Sequence, residues 1–184
     1  MSAQTTLLSE EDGYRLEQAE MPDGKLVEVR VPVLEAPSVV VSKAGLTVWG
    51  YDQGIVGMTY GMMGGTTPRR IYSLVEAEDF INKPEGVNDP FQIQHETIGV
   101  INYEYLAGWV GGTIGDTALA EGIRSILAQE SVYGKAMPFI KSLLQARIAA
   151  YKECVAEASP TAEPSADQQT TTSPVAGDSE AVNS

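Results

Sequence analysis

The sequence predicts an α+β fold: an N-terminal β-hairpin and small antiparallel sheet, a glycine-rich join, then three C-terminal helices, with flexible ends. Three observations predict it. A period-two run of valines follows a Pro-Asp-Gly turn near the N-terminus. Residues 50–65 carry glycines at 50, 54, 57, 61 and 64, and no charge falls between Asp52 and Arg69. From residue 91 to 158 apolar residues recur at helical spacing. Strands first and helices afterwards is the order of an α+β chain rather than of an alternating α/β one.

In chain order, residues 1–12 are small, polar and acidic, and are expected to be a flexible N-terminus. A single α+β domain is expected over 13–158, β-rich over 13–75 and helical over 76–158. The hairpin has arms at 15–20 and 26–33 around Met21-Pro22-Asp23-Gly24-Lys25. Val27, Val29, Val31 and Val33 share one face, with Glu28 and Arg30 on the other. Pro32 marks an edge or a strand end. Val39-Val40-Val41 and Leu46-Thr47-Val48-Trp49 read as two further short strands.

Residues 50–65 admit two structures. As a helix, the glycines form a stripe that lets two backbones approach closely, at a cost of about 1 kcal/mol per glycine relative to alanine. As strands, Ile55 to Tyr60 would join the sheet with glycines at bends, which the β-branched and aromatic residues there favour. Either way, close backbone packing explains the glycines without a ligand.

Thr67-Pro68 could open a helix. The preferred reading is a strand over 70–75 and a short helix over 76–82 with an acidic first turn, Glu76-Ala77-Glu78-Asp79. Residues 83–90 form a loop by their Pro, Gly, Asn and Asp content. Residues 91–109 then read as a helix apolar nearly all round, ended by Gly111-Gly112. Asp116 or Thr117 caps the next helix, with Leu119, Ile123, Ile126 and Leu127 inward and Gly134 at its end. Pro138 sits in the first turn of the last helix, which carries Ile140, Leu144, Ile148, Tyr151 and Val155 on one face. Residues 159–184 contain three prolines, four acids, no basic residue and no aromatic. That composition cannot offset its ordering entropy, so a disordered acidic tail is expected.

The formal net charge is −13, from 12 Lys and Arg against 25 Asp and Glu. Nucleic acid and anionic membrane surfaces repel such a chain, whose basic residues are scattered. One cysteine, Cys154, excludes an intrachain disulfide and a Cys-rich zinc site. The first residues lack a basic segment followed by an apolar run. The longest uncharged stretch, 53–68, is shorter than the roughly 20 apolar residues of a spanning helix. A cytoplasmic location, or one inside a large assembly, is expected, with no membrane span and no nucleic-acid partner.

Candidate chemistry is sparse. His95, the single histidine, adjoins Glu96, and His95 with Glu104 is the weak candidate acid–base pair. Adjacent helical residues point about 100° apart, so the preferred reading of His95 is local hydrogen bonding. No metal-ligand spacing and no nucleophile motif occurs in the sequence, and no metal or cofactor is expected. Residues 61–70 are the candidate anion-binding loop. Gly64 and Gly65 would open the backbone to a phosphate, and Thr66, Thr67, Arg69 and Arg70 would complete the cradle. The stretch matches neither common phosphate-loop motif, and a glycine cluster before an element is more often a turn. Phe91, Tyr103, Tyr105 and Trp109 are expected at an interface, because three terminal helices leave little to cover them.

Residues 56–112 run strand, Gly-x-x-x-x-Gly-Gly loop, a Pro-Arg-Arg-Ile-Tyr-Ser-Leu strand, an acidic short helix and a helix ending Trp-Val-Gly-Gly. In that order the segment resembles part of contractile-tail sheath subunits, although the whole chain is short for that family. The resemblance implies a role in a virion-type assembly. The expected function is therefore a non-enzymatic assembly or interaction protein, a subunit of a larger complex that binds a protein partner or itself. The alternative is a small enzyme or accessory subunit that binds an anionic or phosphorylated ligand at 61–70.

Overall fold

A computed structural model describes residues 5–61, 65–81 and 97–158. Among them are two three-stranded antiparallel sheets and five α-helices, an α+β fold with its helices concentrated toward the C-terminus. The first sheet is β1 (Thr5–Glu11), β2 (Tyr14–Glu20) and β3 (Leu26–Pro32), in spatial order β1-β2-β3. The second places β4 (Ile55–Gly61) between β5 (Gly65–Ile71) and β6 (Thr97–Val100). The helices are α1 (Val39–Leu46), α2 (Leu74–Phe80), α3 (Tyr103–Trp109), α4 (Thr117–Gln129) and α5 (Tyr133–Ala158). A π-helical turn, Val110–Ile114, extends α3 to Gly115, whose positive φ of 82° ends it.

The β2–β3 hairpin forms where its valines place it. Glu17 faces Val29 and Arg15 faces Val31, and both valines are buried toward the helices. The turn closes through Gly24 N donating to Met21 O and Met21 N donating to Lys25 O, each at 2.8 Å, with Gly24 at φ 77°. A side chain there would be strained. β3 ends at Pro32, where proline removes a ladder donor.

Residues 55–61 are strand, the favoured of the two readings of the glycine stretch. The reason for glycine is visible at two places. A Cβ on Gly57 would stand 2.5 Å from the ring of Phe80, and one on Gly99 would collide with the Phe80 carbonyl. The last residue of α2 thus lies directly on the backbones of β4 and β6.

Several expectations are corrected. The N-terminal segment is not without structure: Thr5–Glu11 pairs with β2 across a tight turn at Asp12 and Gly13, both with positive φ. Val39-Val40-Val41 opens α1 instead of forming a strand, because Ser38 caps it and the face with Ser42 and Gly45 is buried against α5. Packing here overrides β propensity. The strand expected at 46–49 does not form: Leu46 ends α1, and residues 47–49 pair with no strand, held by Trp49 N donating to Tyr72 O. The strand expected at 70–75 lies earlier, at Gly65–Ile71, and α2 begins at Leu74 because Ser73 accepts from Glu76 N. Of the helix expected over 91–109, residues 97–100 are strand, and helix starts only at Tyr103 behind the Asn102 cap. Gly134 does not end α4, which stops at Gln129, and Pro138 lies inside α5. The loop at 83–90 and the tail at 159–184 lie outside the described residues.

The core is built around α4 and α5, with Leu119, Ile123, Ile126, Phe139, Ile140, Leu143 and Leu144 fully buried. The first sheet lies against α4 and α5. α3 joins the second sheet to the helices, contacting both β4 and α4. One polar cluster locks this arrangement. Asp116 caps α4 by accepting from Leu119 N at 2.9 Å, and its other oxygen accepts from Arg147 Nε at 2.6 Å and from Tyr151 Oη. Arg147 also donates to Glu35 O, tying the segment before α1 to α5.

Candidate functional site

The second sheet has two unlike faces. Gly57 is buried against Phe80 of α2, while the alternate residues Val56, Met58 and Tyr60 are exposed on the other face. α3 runs beside that second face, and the two enclose an open groove of about 1060 Å³. Val56, Met58 and Tyr60 form one side; Asn102, Glu104, Tyr105, Gly108 and Trp109 form the other, and Val100 and Tyr133 also line it.

Each side chain is held by an identifiable device. Asn102 Oδ1 accepts from Tyr105 N at 3.0 Å, so the cap that starts α3 also fixes where Tyr105 emerges. Trp109 Nε1 donates to Gln53 O at 2.6 Å, leaving the indole nearly buried with an edge on the groove. Tyr133 stacks on buried Tyr103, with ring centroids 4.5 Å apart and planes within 2°. Its hydroxyl accepts from Ile101 N at 3.2 Å. Burial pushes the hydroxyls of both tyrosines up, so both stay protonated and neutral. Tyr105, by contrast, is 74% exposed. Glu104 reaches Arg124 at 3.7 Å, an exposed pair of small energetic weight.

The expected interface residues thus separate. Tyr105 and Trp109 line the groove, Tyr103 is a core residue behind Tyr133, and Phe91 lies outside the described residues. His95 also lies outside them, so its relation to Glu104 is not described. Gly64 lies outside as well. Gly65, Thr66, Thr67, Arg69 and Arg70 fall along β5, paired to β4. Consecutive strand residues point to opposite faces. Arg70 is therefore on the groove side opposite Val56, and Arg69 is on the α2 side opposite Gly57. Arg70 stacks 4.1 Å over the Tyr51 ring and donates to Tyr51 O. Arg69 lies 5.7 Å over Phe80 and 4.0 Å from Glu76. The structure does not bring the two guanidinium groups to one place.

Sequence reasoning missed Val56, Met58, Tyr60 and Tyr133 as groove residues. The signal was present for the first three, which alternate with Ile55, Gly57 and Thr59 in period two. Tyr133 carries no such signal, since only the tertiary fold brings the start of α5 to the second sheet. Among the described residues no group of three or more His, Cys, Asp and Glu is placed to hold a metal ion. None of the described helices is long and apolar enough to cross a membrane. No family model matches the chain, and no curated protein and no solved structure does either.

Proposed function

We propose that this protein is a non-enzymatic interaction subunit whose groove between β4 and α3 receives an apolar segment of a protein partner. The observation that carries this reading is the contiguity of Val56, Met58, Tyr60 and Tyr105, all exposed, around one groove with buried Trp109 at its edge. Exposed apolar residues scattered singly need no explanation, but a rimmed cluster marks a binding surface. Aromatic anchors with few charges are the composition of an interface centre. The groove is open and at the upper end of small-molecule pocket volumes, which suits a helix or strand better than a metabolite. The resemblance of 56–112 to sheath subunits is consistent with assembly as a process. Arg69 and Arg70 are already engaged with Phe80, Glu76 and Tyr51, so the anionic-ligand alternative gains nothing from this geometry.

Co-purification from the cells of origin tests the reading. The tagged wild-type chain should retain a defined set of partners that the Met58→Asp and Tyr105→Ala variants lose, with thermal stability kept within a few degrees. Retention of the same partners by both variants would contradict it.

A further inference from the structure

Nothing in its own chain accounts for Gly108. It lies within α3, which the π-helical turn continues to Ile114. A glycine there weakens the helix relative to alanine, because it has more backbone freedom to lose. Gly115 is explained by its positive φ, and Gly57 by the Phe80 ring against it. Neither reason applies to Gly108: its φ is not positive, and a Cβ on it would meet nothing within 4 Å. Its bare backbone lines the groove instead, across from the exposed side chains of Val56, Met58 and Tyr60.

We propose that the occupant of the groove is a basic amphipathic α-helix of the partner, whose backbone packs directly on α3 at Gly108. This inference rests on the groove being a partner site and names what enters it. The walls decide between helix and strand. β4 is hydrogen-bonded on both sides, to β5 and to β6, and α3 bonds within itself. Neither wall therefore offers main-chain partners to an incoming segment. An extended segment would lie there with its N–H and C=O groups unpaired, which is costly away from water. A helix pairs its own. The distance between two packed helices is set by the side chains at their contact, and Gly108 contributes none. It lets a second helix lie close to α3 while still reaching the sheet face.

Charge complementarity gives the sign of the partner. Among the described residues lining the groove only Glu104 is charged; its side chain is 66% exposed and 3.7 Å from Arg124. The chain as a whole carries a formal charge of −13. A cationic helix is drawn to such a surface and an acidic one is repelled. Val56 to Tyr60 span about 13 Å along β4, the length of about nine helical residues. The occupant then sets apolar residues at i, i+3, i+4 and i+7 on Val56, Met58 and Tyr60. A small residue faces Gly108, and a lysine or arginine lies near Glu104.

Fluorescence anisotropy with the full chain and a labelled model peptide tests it. The peptide is an amphipathic sequence of leucine, alanine and lysine, about 15 residues long and stapled on its outer face, because so short a helix is marginal alone. The lysine peptide should bind the wild-type chain, more weakly as salt rises. Versions with glutamate for lysine, or with a central proline that breaks the helix, should bind at least tenfold more weakly. Gly108→Leu has room in the free protein, so it should fold, yet it should weaken the lysine peptide at least tenfold. Gly108→Ala should raise the melting temperature by a few degrees, which shows that glycine is not there for the fold. No binding of the lysine peptide, equal binding of the proline or glutamate version, or undiminished binding by Gly108→Leu would overturn the inference. Met58→Asp separates it from the reading beneath. Co-purified partners that depend on Met58, with a peptide indifferent to Gly108→Leu, would keep the groove and remove the helix. Partners indifferent to Met58 would remove both.

Discussion

Asp116 is almost wholly buried, yet its carboxylate is ionised because Arg147, Tyr151 and the Leu119 amide all donate to it. Burial by itself would raise its pKa; those hydrogen bonds outweigh it and hold the carboxyl below the usual carboxylate value. A carboxyl with a depressed folded value contributes stability above its unfolded value, about 3.9. That stability is lost as pH falls through the folded value. Asp116→Asn keeps the helix cap, since asparagine caps as well, but leaves Arg147 buried without its counter-charge. The expected loss is about 3 to 5 kcal/mol at neutral pH. Urea denaturation from pH 2 to 7 should show the difference between wild type and variant shrinking below about pH 4. A constant difference would mean that the carboxylate charge is not what matters. Gly57 gives a second test at this scale. Gly57→Ala drives a methyl group into the Phe80 ring and should cost about 1 to 3 kcal/mol. In a Phe80→Leu background the added cost should be smaller, and equal costs would separate the two residues. The cap at Asp116 was legible in the sequence as an acid before a periodic apolar run. Its ion pair was not, because Arg147 lies 31 positions away on α5.

Among the elements, the β2–β3 hairpin was the most legible, because turn chemistry and valine alternation point to the same register. β1 went unread although Glu11-Asp12-Gly13-Tyr14 contains an Asp-Gly pair, a strong hairpin signal. A polar, acidic composition on both sides hid it. The Ser73-Leu74-Val75-Glu76 capping pattern likewise fixes the start of α2 better than the acidic run does. Residues 97–100 misled for a different reason. Short apolar runs fit strand and helix equally, and pairing to β4 decides between them. The Gln129 clamp on β3 was invisible to any local pattern, since its partner Arg30 is 99 positions away. Gln129→Ala removes both of its hydrogen bonds to Arg30. It should cost about 1 to 2 kcal/mol and speed hydrogen exchange at the Arg30 amide. Unchanged exchange there would show that the clamp does not protect the edge.

At the scale of the molecule, the fold class followed from element order alone, but the site did not. Read along the chain, the glycine stretch admits helix or strand, with strand favoured over residues 55–60. In three dimensions residues 55–61 are the middle strand of a sheet, with one side pressed on Phe80 and the other facing the groove. Gly57 serves packing with α2, and the alternate residues Val56, Met58 and Tyr60 serve the groove. Tyr105 is the groove residue least used by the fold, so Tyr105→Ala should leave the melting temperature nearly unchanged. It should weaken binding of the partner segment at least tenfold, the effect of losing an aromatic anchor. The most direct test of the account is site-specific photo-cross-linking in the cells of origin, with benzoylphenylalanine at position 105 and, as a control, at position 121 on α4. The account predicts a discrete protein adduct from position 105 that disappears when Met58 is replaced by aspartate, and no such adduct from position 121. No adduct at 105, or one that survives the Met58 replacement, would contradict a partner seated in the groove.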